Sequence, residues 1–204
     1  MIVSTLINSD TRVEDPKRAR VLEGAMEVFL AYGFSRTTMD DIARAVDISR
    51  PALYLLFRNK ADIFRAVEQD LLAKSRANAC AALRGEGSFQ KRLLTALDQA
   101  LFQLLRKVHE SPHGEELVDF NNQIAADLVT EWRSFMVERF ARSIGEEASR
   151  RGVSLEDRGH SAQSLAEMLF DMLAGMKARG KRGFQAEPQC RQFIKLIELA
   201  LDKK

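Results

Sequence analysis

Residues 35–60 read SRTTMDDIARAVDISRPALYLLFRNK. Two short helix signatures share this stretch, separated by a tight turn. The first opens on Thr38 with Asp41 three residues later, a capping-box-like pair, and runs to about Ala45. The second opens on Ser49, carries Pro51 in its first turn and runs to about Phe57. Wound at about 100° per residue, this second helix places Leu53, Leu56 and Phe57 on one side. Arg50, Pro51, Tyr54, Leu55 and Arg58 fall on the other. The first group suits a core. The second joins a guanidinium, a phenol and a leucine, groups that can meet guanine or phosphate, a phosphate oxygen, and a thymine methyl. Two helices so arranged form a helix-turn-helix, whose second helix fits the major groove of duplex DNA.

Charge placement points the same way. Arg50 and Lys60 each occupy the first position of a helix, where a cation opposes the macrodipole at about 0.3–1 kcal/mol. A phosphate docked at those termini would remove the conflict. Asp40 and Asp41 would repel such a phosphate, so their carboxylates are expected to turn aside, leaving the Thr38 hydroxyl and nearby amides to meet DNA. From Pro16 to Lys60 there are eight Lys/Arg against five acids, a local excess of +3 in a chain whose net charge is only +2.

Working outward, the pattern is helical throughout and the fold class is all-α. Val21, Leu22, Ala25, Met26 and Phe29 give a first helix from about Lys17 to Tyr32. Gly33 is expected as its left-handed cap, with Phe34 folded back on Phe29. Asn59 and Asp62 open a long fourth helix that fades at the glycines after Arg84. Long amphipathic helices follow around residues 93–108, 128–144, 161–178 and 188–202. Breakers are expected at Pro112, Gly145, Gly152, Gly159 and Gly180–Gly183. The implied organisation is a flexible arm (1–15), a helix-turn-helix head (16–60), and a helical bundle for ligand binding and dimerisation (61–204), with the fourth helix as connector.

Composition excludes several classes. Cys80 and Cys190 lie far apart, with no CxxC and no zinc spacing, which reads as two reduced thiols in a cytoplasmic protein. No apolar run is long enough to cross a bilayer, and residues 1–16 lack the basic start of a secretory signal. His109-Glu110-Ser111-Pro112-His113 fits the H-E-x-x-H pattern of zinc peptidases by letter. That chemistry needs an unbroken helix, however, and Pro112 breaks it. No enzyme activity, metal or cofactor is expected.

From about Arg18 to Val67 the chain resembles the DNA-binding head of the tetracycline-repressor-like (TetR/AcrR) family. The matching pieces are Ala25 to Phe29, Tyr32-Gly33-Phe34, Thr37-Thr38, Asp41-Ile42-Ala43, Ser49-Arg50, Leu53-Tyr54, Phe57 and Asn59-Lys60. The resemblance implies that Thr38, Tyr54 and Lys60 clamp phosphates while Arg50, Pro51 and Leu55 face bases, with Thr37 and Ser49 completing the contact set. Two departures stand out: Asp47 occupies the turn position where Gly is usual, and Leu55-Leu56 replace a pair that is often aromatic or His-containing.

The resemblance further implies a homodimer on a near-palindromic operator, most simply a repressor. It also implies a small apolar or amphipathic effector held in the bundle. Leu165, Leu169, Leu173, Ile194 and Ile197 are the expected interface. Phe102, His109, Phe120, Asn121, Trp132, Met168 and Met172 are the expected pocket. The other reading is a DNA-binding scaffolding protein that takes no effector and acts through a protein partner.

Overall fold

A computed structural model describes residues 15–179 and 186–202, and among them every regular element is a helix. α1 (Pro16–Tyr32) begins where its signals lie: the Asp15 carboxylate accepts from the Lys17 amide at 3.0 Å, and Pro16 takes a position that needs no N–H. It ends at Gly33, whose φ of 78° is positive as expected. Its ψ of 161° is extended rather than left-handed helical. Phe34 still returns to Phe29, with ring centroids 5.5 Å apart. A Cβ at position 33 would stand 2.2 Å from Glu116 Oε2, so a larger residue would both push that carboxylate aside and adopt a strained positive φ.

α2 (Met39–Ala45) and α3 (Arg50–Leu56) keep the expected limits, and Thr38 with Asp41 forms the complete capping box. After α2, the Ile48 amide donates to Ala43 O at 3.0 Å and the Asp47 amide to Arg44 O at 3.3 Å. These are the two bonds of a Schellman cap, with Asp47 at φ 54° where glycine is usual. Arg20 supports the turn by donating to Val46 O at 2.6 Å. A left-handed non-glycine residue costs about 1 kcal/mol. Asp47→Gly is therefore expected to stabilise the head by about that amount, read as a raised urea midpoint at unchanged slope.

α4 (Lys60–Arg84) is capped by Asn59, whose side chain accepts from the Asp62 amide. Its first two turns belong to the head: Ile63, Phe64 and Val67 are buried with Val21, Phe29, Ile42, Leu53 and Phe57 in one cluster. The head core thus continues past residue 60. Further along, α4 crosses into the body.

The body comprises α5 (Phe89–Leu97), a π turn (Asp98–Phe102), α6 (Gln103–Glu110), α7 (Gly114–Ile124), α8 (Ala126–Arg151), α9 (Ala162–Arg179) and α10 (Glu187–Ala200). The helix expected over 93–108 is therefore interrupted by the π turn. There the Ala100 carbonyl accepts from the Ser75 hydroxyl at 2.6 Å, and Ser75 in turn accepts from Trp132 Nε1 at 2.8 Å. α7 was not anticipated; its apolar stripe is short and begins directly after the proline. Gly145 does not break α8. A mid-helix glycine costs about 1 kcal/mol, and the buried flanks at Ala141, Ile144 and Ala148 outweigh that. Gly152 and Gly159 do take left-handed caps.

The five residues expected at a subunit interface are core residues instead. Leu165, Leu169, Leu173, Ile194 and Ile197 are at most 7% exposed, packed with Leu93, Met136, Phe140 and Ile144. A helix covered on several sides spends its best apolar stripe inside its own subunit, and periodicity does not reveal which apolar face turns outward. Residues 1–14 of the expected arm, and the break at Gly180–Gly183, lie outside the described residues.

Candidate nucleic-acid interface

α3 presents the two faces its sequence dictates. Leu53 and Phe57 are buried and Leu56 half-buried, while Arg50, Pro51, Tyr54, Leu55 and Arg58 face solvent. Leu55 is 87% exposed, which no folding argument requires. Ser49 caps the helix by accepting from the Ala52 amide at 3.3 Å, and its own proton remains to donate outward. The Arg50 guanidinium lies 3.2 Å from Asp40 Oδ2 and 5.6 Å from the centre of the Tyr54 ring. Asp40 thus neutralises the cation at the start of α3 and holds it beside the phenol. The other acid of this turn, Asp41, is folded into its cap, and the Thr38 hydrogen bonds hold its carboxyl below the usual carboxylate range.

Three expected contacts are arranged differently. Thr37 is 2% exposed, with its hydroxyl donated to Gly33 O at 2.6 Å. The Thr38 hydroxyl donates its single proton to Asp41 Oδ2 at 2.6 Å, so it has none for a phosphate. Lys60 Nζ lies 2.8–2.9 Å from the carbonyls of Phe34, Ser35 and Thr37, which takes all three of its hydrogens. The cations at the first positions of α3 and α4 therefore find internal partners, and their placement has a structural reason independent of any phosphate. Arg44 on α2, 79% exposed and only 4.0 Å from Asp41, is a cation beside this face that the sequence reading passed over.

The head is bound to the body by side chains far apart in sequence. Glu116 Oε1 accepts from the Ser35 amide at 2.7 Å, and that bond holds the carboxyl below the usual range. The Ser111 hydroxyl donates to Leu30 O at 2.7 Å, and Arg36 donates to His113 Nε2 at 2.8 Å. Phe120 stacks on Phe34 with centroids 3.8 Å apart. Arg65 pairs with both oxygens of Asp127 and with Ile124 O, driving the Asp127 carboxyl down to about 2. The α6–α7 corner is therefore clamped onto the turn that precedes α2.

His109-Glu110-Ser111-Pro112-His113 builds that corner rather than a zinc site. α6 stops at Glu110, Ser111 is extended, and His113 turns to Arg36. Among the described residues no group of three His, Cys, Asp or Glu is placed to hold a metal, and no helix is long and apolar enough to cross a membrane.

The seven expected pocket residues do not converge. Phe102 and Trp132 are core, His109 is exposed at the end of α6, and Met168 is 53% exposed. Met172 is half-buried against the core, and Phe120 belongs to the head contact. Asn121 borders a void of about 70 Å3 beside Met26, Phe64 and Leu117. Its Oδ1 is buried there without a partner.

Residues 21–67 match the family model described as bacterial regulatory proteins, tetR family. The chain is 33% identical over 117 residues to the transcriptional activator FasR of Mycolicibacterium smegmatis, covering 57% of this chain and 49% of FasR. It spans about half or less of the length of the curated relatives it matches first. Its fold resembles that of reduced Escherichia coli NemR, at a TM-score of 0.65 and 17% identity over 89% of this chain and 96% of that one. It also resembles SmeT in complex with triclosan, at a TM-score of 0.54 and 17% identity over 91% and 88%. SmeT is the repressor of the Stenotrophomonas maltophilia efflux pump SmeDEF.

Proposed function

Because the chain belongs to the TetR family of bacterial regulatory proteins, we propose that it is a ligand-responsive transcriptional regulator, a repressor that binds a near-palindromic operator as a homodimer. The observation that carries this reading is the outward stripe of α3, where Arg50, Tyr54 and Leu55 all face solvent and the leucine, 87% exposed, has no folding role. On a major groove the leucine meets a thymine methyl, the guanidinium meets guanine, and Ser49 and Tyr54 meet phosphates. Arg44 and Arg58, both exposed, add charge at the edges.

Of the six large apolar or aromatic side chains exposed among the described residues, three lie on the head (Tyr32, Tyr54, Leu55). The other three, Met168, Leu196 and Leu199, lie on α9 and α10. This second group replaces the buried leucines and isoleucines as the proposed dimer face, with Gly175 offering open space to a partner helix. The double change Leu196→Asp with Leu199→Asp is expected to give a monomer by sedimentation. It should weaken operator binding by more than tenfold, since each buried anchor contributes about 2 kcal/mol.

An effector that displaces the α6–α7 corner would release the clamp on the α2 turn and change the spacing of the two heads. SmeT, which shares this fold, forms a complex with the small molecule triclosan, and that favours a small-molecule effector here. Selection of bound genomic fragments at low ionic strength, followed by footprinting, tests the whole reading. Two protected half-sites about one helical turn apart are expected. Retention of no duplex at any sequence would refute it.

A further inference from the structure

α4 and α8 run side by side through the body, and a furrow between their outer faces stays open. Its wide part has a volume of about 470 Å3, within the range of small-molecule sites. Leu72, Leu128 and Phe135 make it apolar, and Ala73 and Ala77, small and exposed, leave it uncovered. Cys80 borders this part and a narrower one of about 180 Å3 beside Leu83, Arg84 and Arg142. Together they follow α4 from Gln69 to Arg84, a length of about 22 Å at 1.5 Å per residue.

Charge selects the occupant. Arg76 and Arg139 both lie against Phe135, their guanidinium carbons 5.2 and 4.9 Å from the ring centroid. Each keeps a buried Nε without a hydrogen-bond partner. The nearby acids sit at the rim: Glu131 is 4.0 Å from Arg76 and 70% exposed, Glu138 is 3.5 Å from Arg139 and 57% exposed, and Glu146, which borders the narrower part, is exposed as well. The two arginine side chains are only 34% and 31% exposed. Solvated pairs of this kind contribute about 0–1 kcal/mol, so the acids leave the recessed cations open to a better partner. Guanidinium groups beside an apolar trough suit a planar anion that carries an apolar chain.

We propose that this furrow binds a single-chain amphipathic carboxylate, its headgroup at Arg76 and Arg139 and its chain along the alanine-lined part. Because α4 continues into the head core, an occupant joining α4 to α8 acts on the element that carries the DNA-binding unit. Only that consequence rests on the regulator reading; binding itself does not.

Dodecanoate below its micellar concentration is the probe. Cys190 is fully buried and its thiol is pushed up to about 12 by burial, so alkylation at neutral pH reports on Cys80. Saturating dodecanoate is expected to slow Cys80 alkylation at least tenfold and raise the thermal midpoint; dodecyltrimethylammonium should do neither. Ala77→Trp, at an exposed position, should abolish the protection while keeping the thermal midpoint of the free protein. Arg76→Gln with Arg139→Gln should weaken dodecanoate at least tenfold and leave the smaller response to dodecan-1-ol unchanged. Equal protection by the cationic amphiphile, or none by dodecanoate while Cys80 reacts freely, overturns the proposal. So does capture on phosphatidylglycerol vesicles without any response to the free acid. None of these measurements uses DNA, so their failure leaves operator binding standing, and failure of operator binding leaves the furrow standing.

Discussion

Glu147→Ala is expected to cost about 3–5 kcal/mol of folding stability, because it strips the shared anion from a cluster of arginines. Glu147 is 2% exposed on α8 and accepts from Arg150 at 2.5 Å, Arg151 at 2.7 Å and Arg92 at 3.5 Å. Arg151 continues to Glu198 and Asp202, so one carboxylate links α5, α8 and α10. Arg150 is 69% exposed, so water screens part of its share; Arg151, at 22%, is the more sheltered of the two close partners.

The pH dependence has a definite sign. Arg150 first, then Arg151, hold the Glu147 carboxyl at about 2 against an ordinary 4.5. A depressed carboxyl stabilises fully above its unfolded value, so the contribution is complete at neutral pH. It is lost as pH falls from about 4.5 toward 2. Urea unfolding at pH 7 and at pH 3 checks both parts: the gap between wild type and Glu147→Ala should be large at pH 7 and clearly smaller at pH 3. A gap of equal size at both would show that packing, not charge, sets the cost.

Arg50→Ala is expected to remove about 1–3 kcal/mol of discrimination between operator and mismatched DNA. Its guanidinium is 57% exposed and is held by an Asp40 that is itself 48% exposed. Such a pair contributes about 0–1 kcal/mol, which a bidentate contact to guanine exceeds, so Asp40 aims the cation without competing for it. Lys60→Met should act otherwise. The carbonyls of Phe34, Ser35 and Thr37 lose their donor, and the head should unfold at lower urea while base preference persists. Competition titrations with single-base operator variants separate the two. Equal loss of discrimination from both substitutions would mean that Arg50 reads no base.

The head was legible because its instructions are local. Thr38 with Asp41, Ser49 before Pro51, and Asn59 before Asp62 are caps read within three residues, and each forms as written. The period of 3.6 then placed Leu53 and Phe57 inside and Leu55 outside without further knowledge. What hydrogen-bond partners those residues choose was less legible. Lys60 reaches back 23–26 residues to its carbonyls, and Thr37 withdraws into the turn it stabilises.

The sequence by itself determined the capped helices, the turn at Asp47 and the two faces of α3, since each rests on contacts within about one helical turn. Tertiary structure decided which apolar face of α9 and α10 is core. It also set the meeting of Glu116 with Ser35, 81 residues away, and the opening of the furrow beside Arg76 and Arg139. The reason is geometric: a helix with apolar residues on several sides can bury any of them, and only the return of distant chain selects the side left to water.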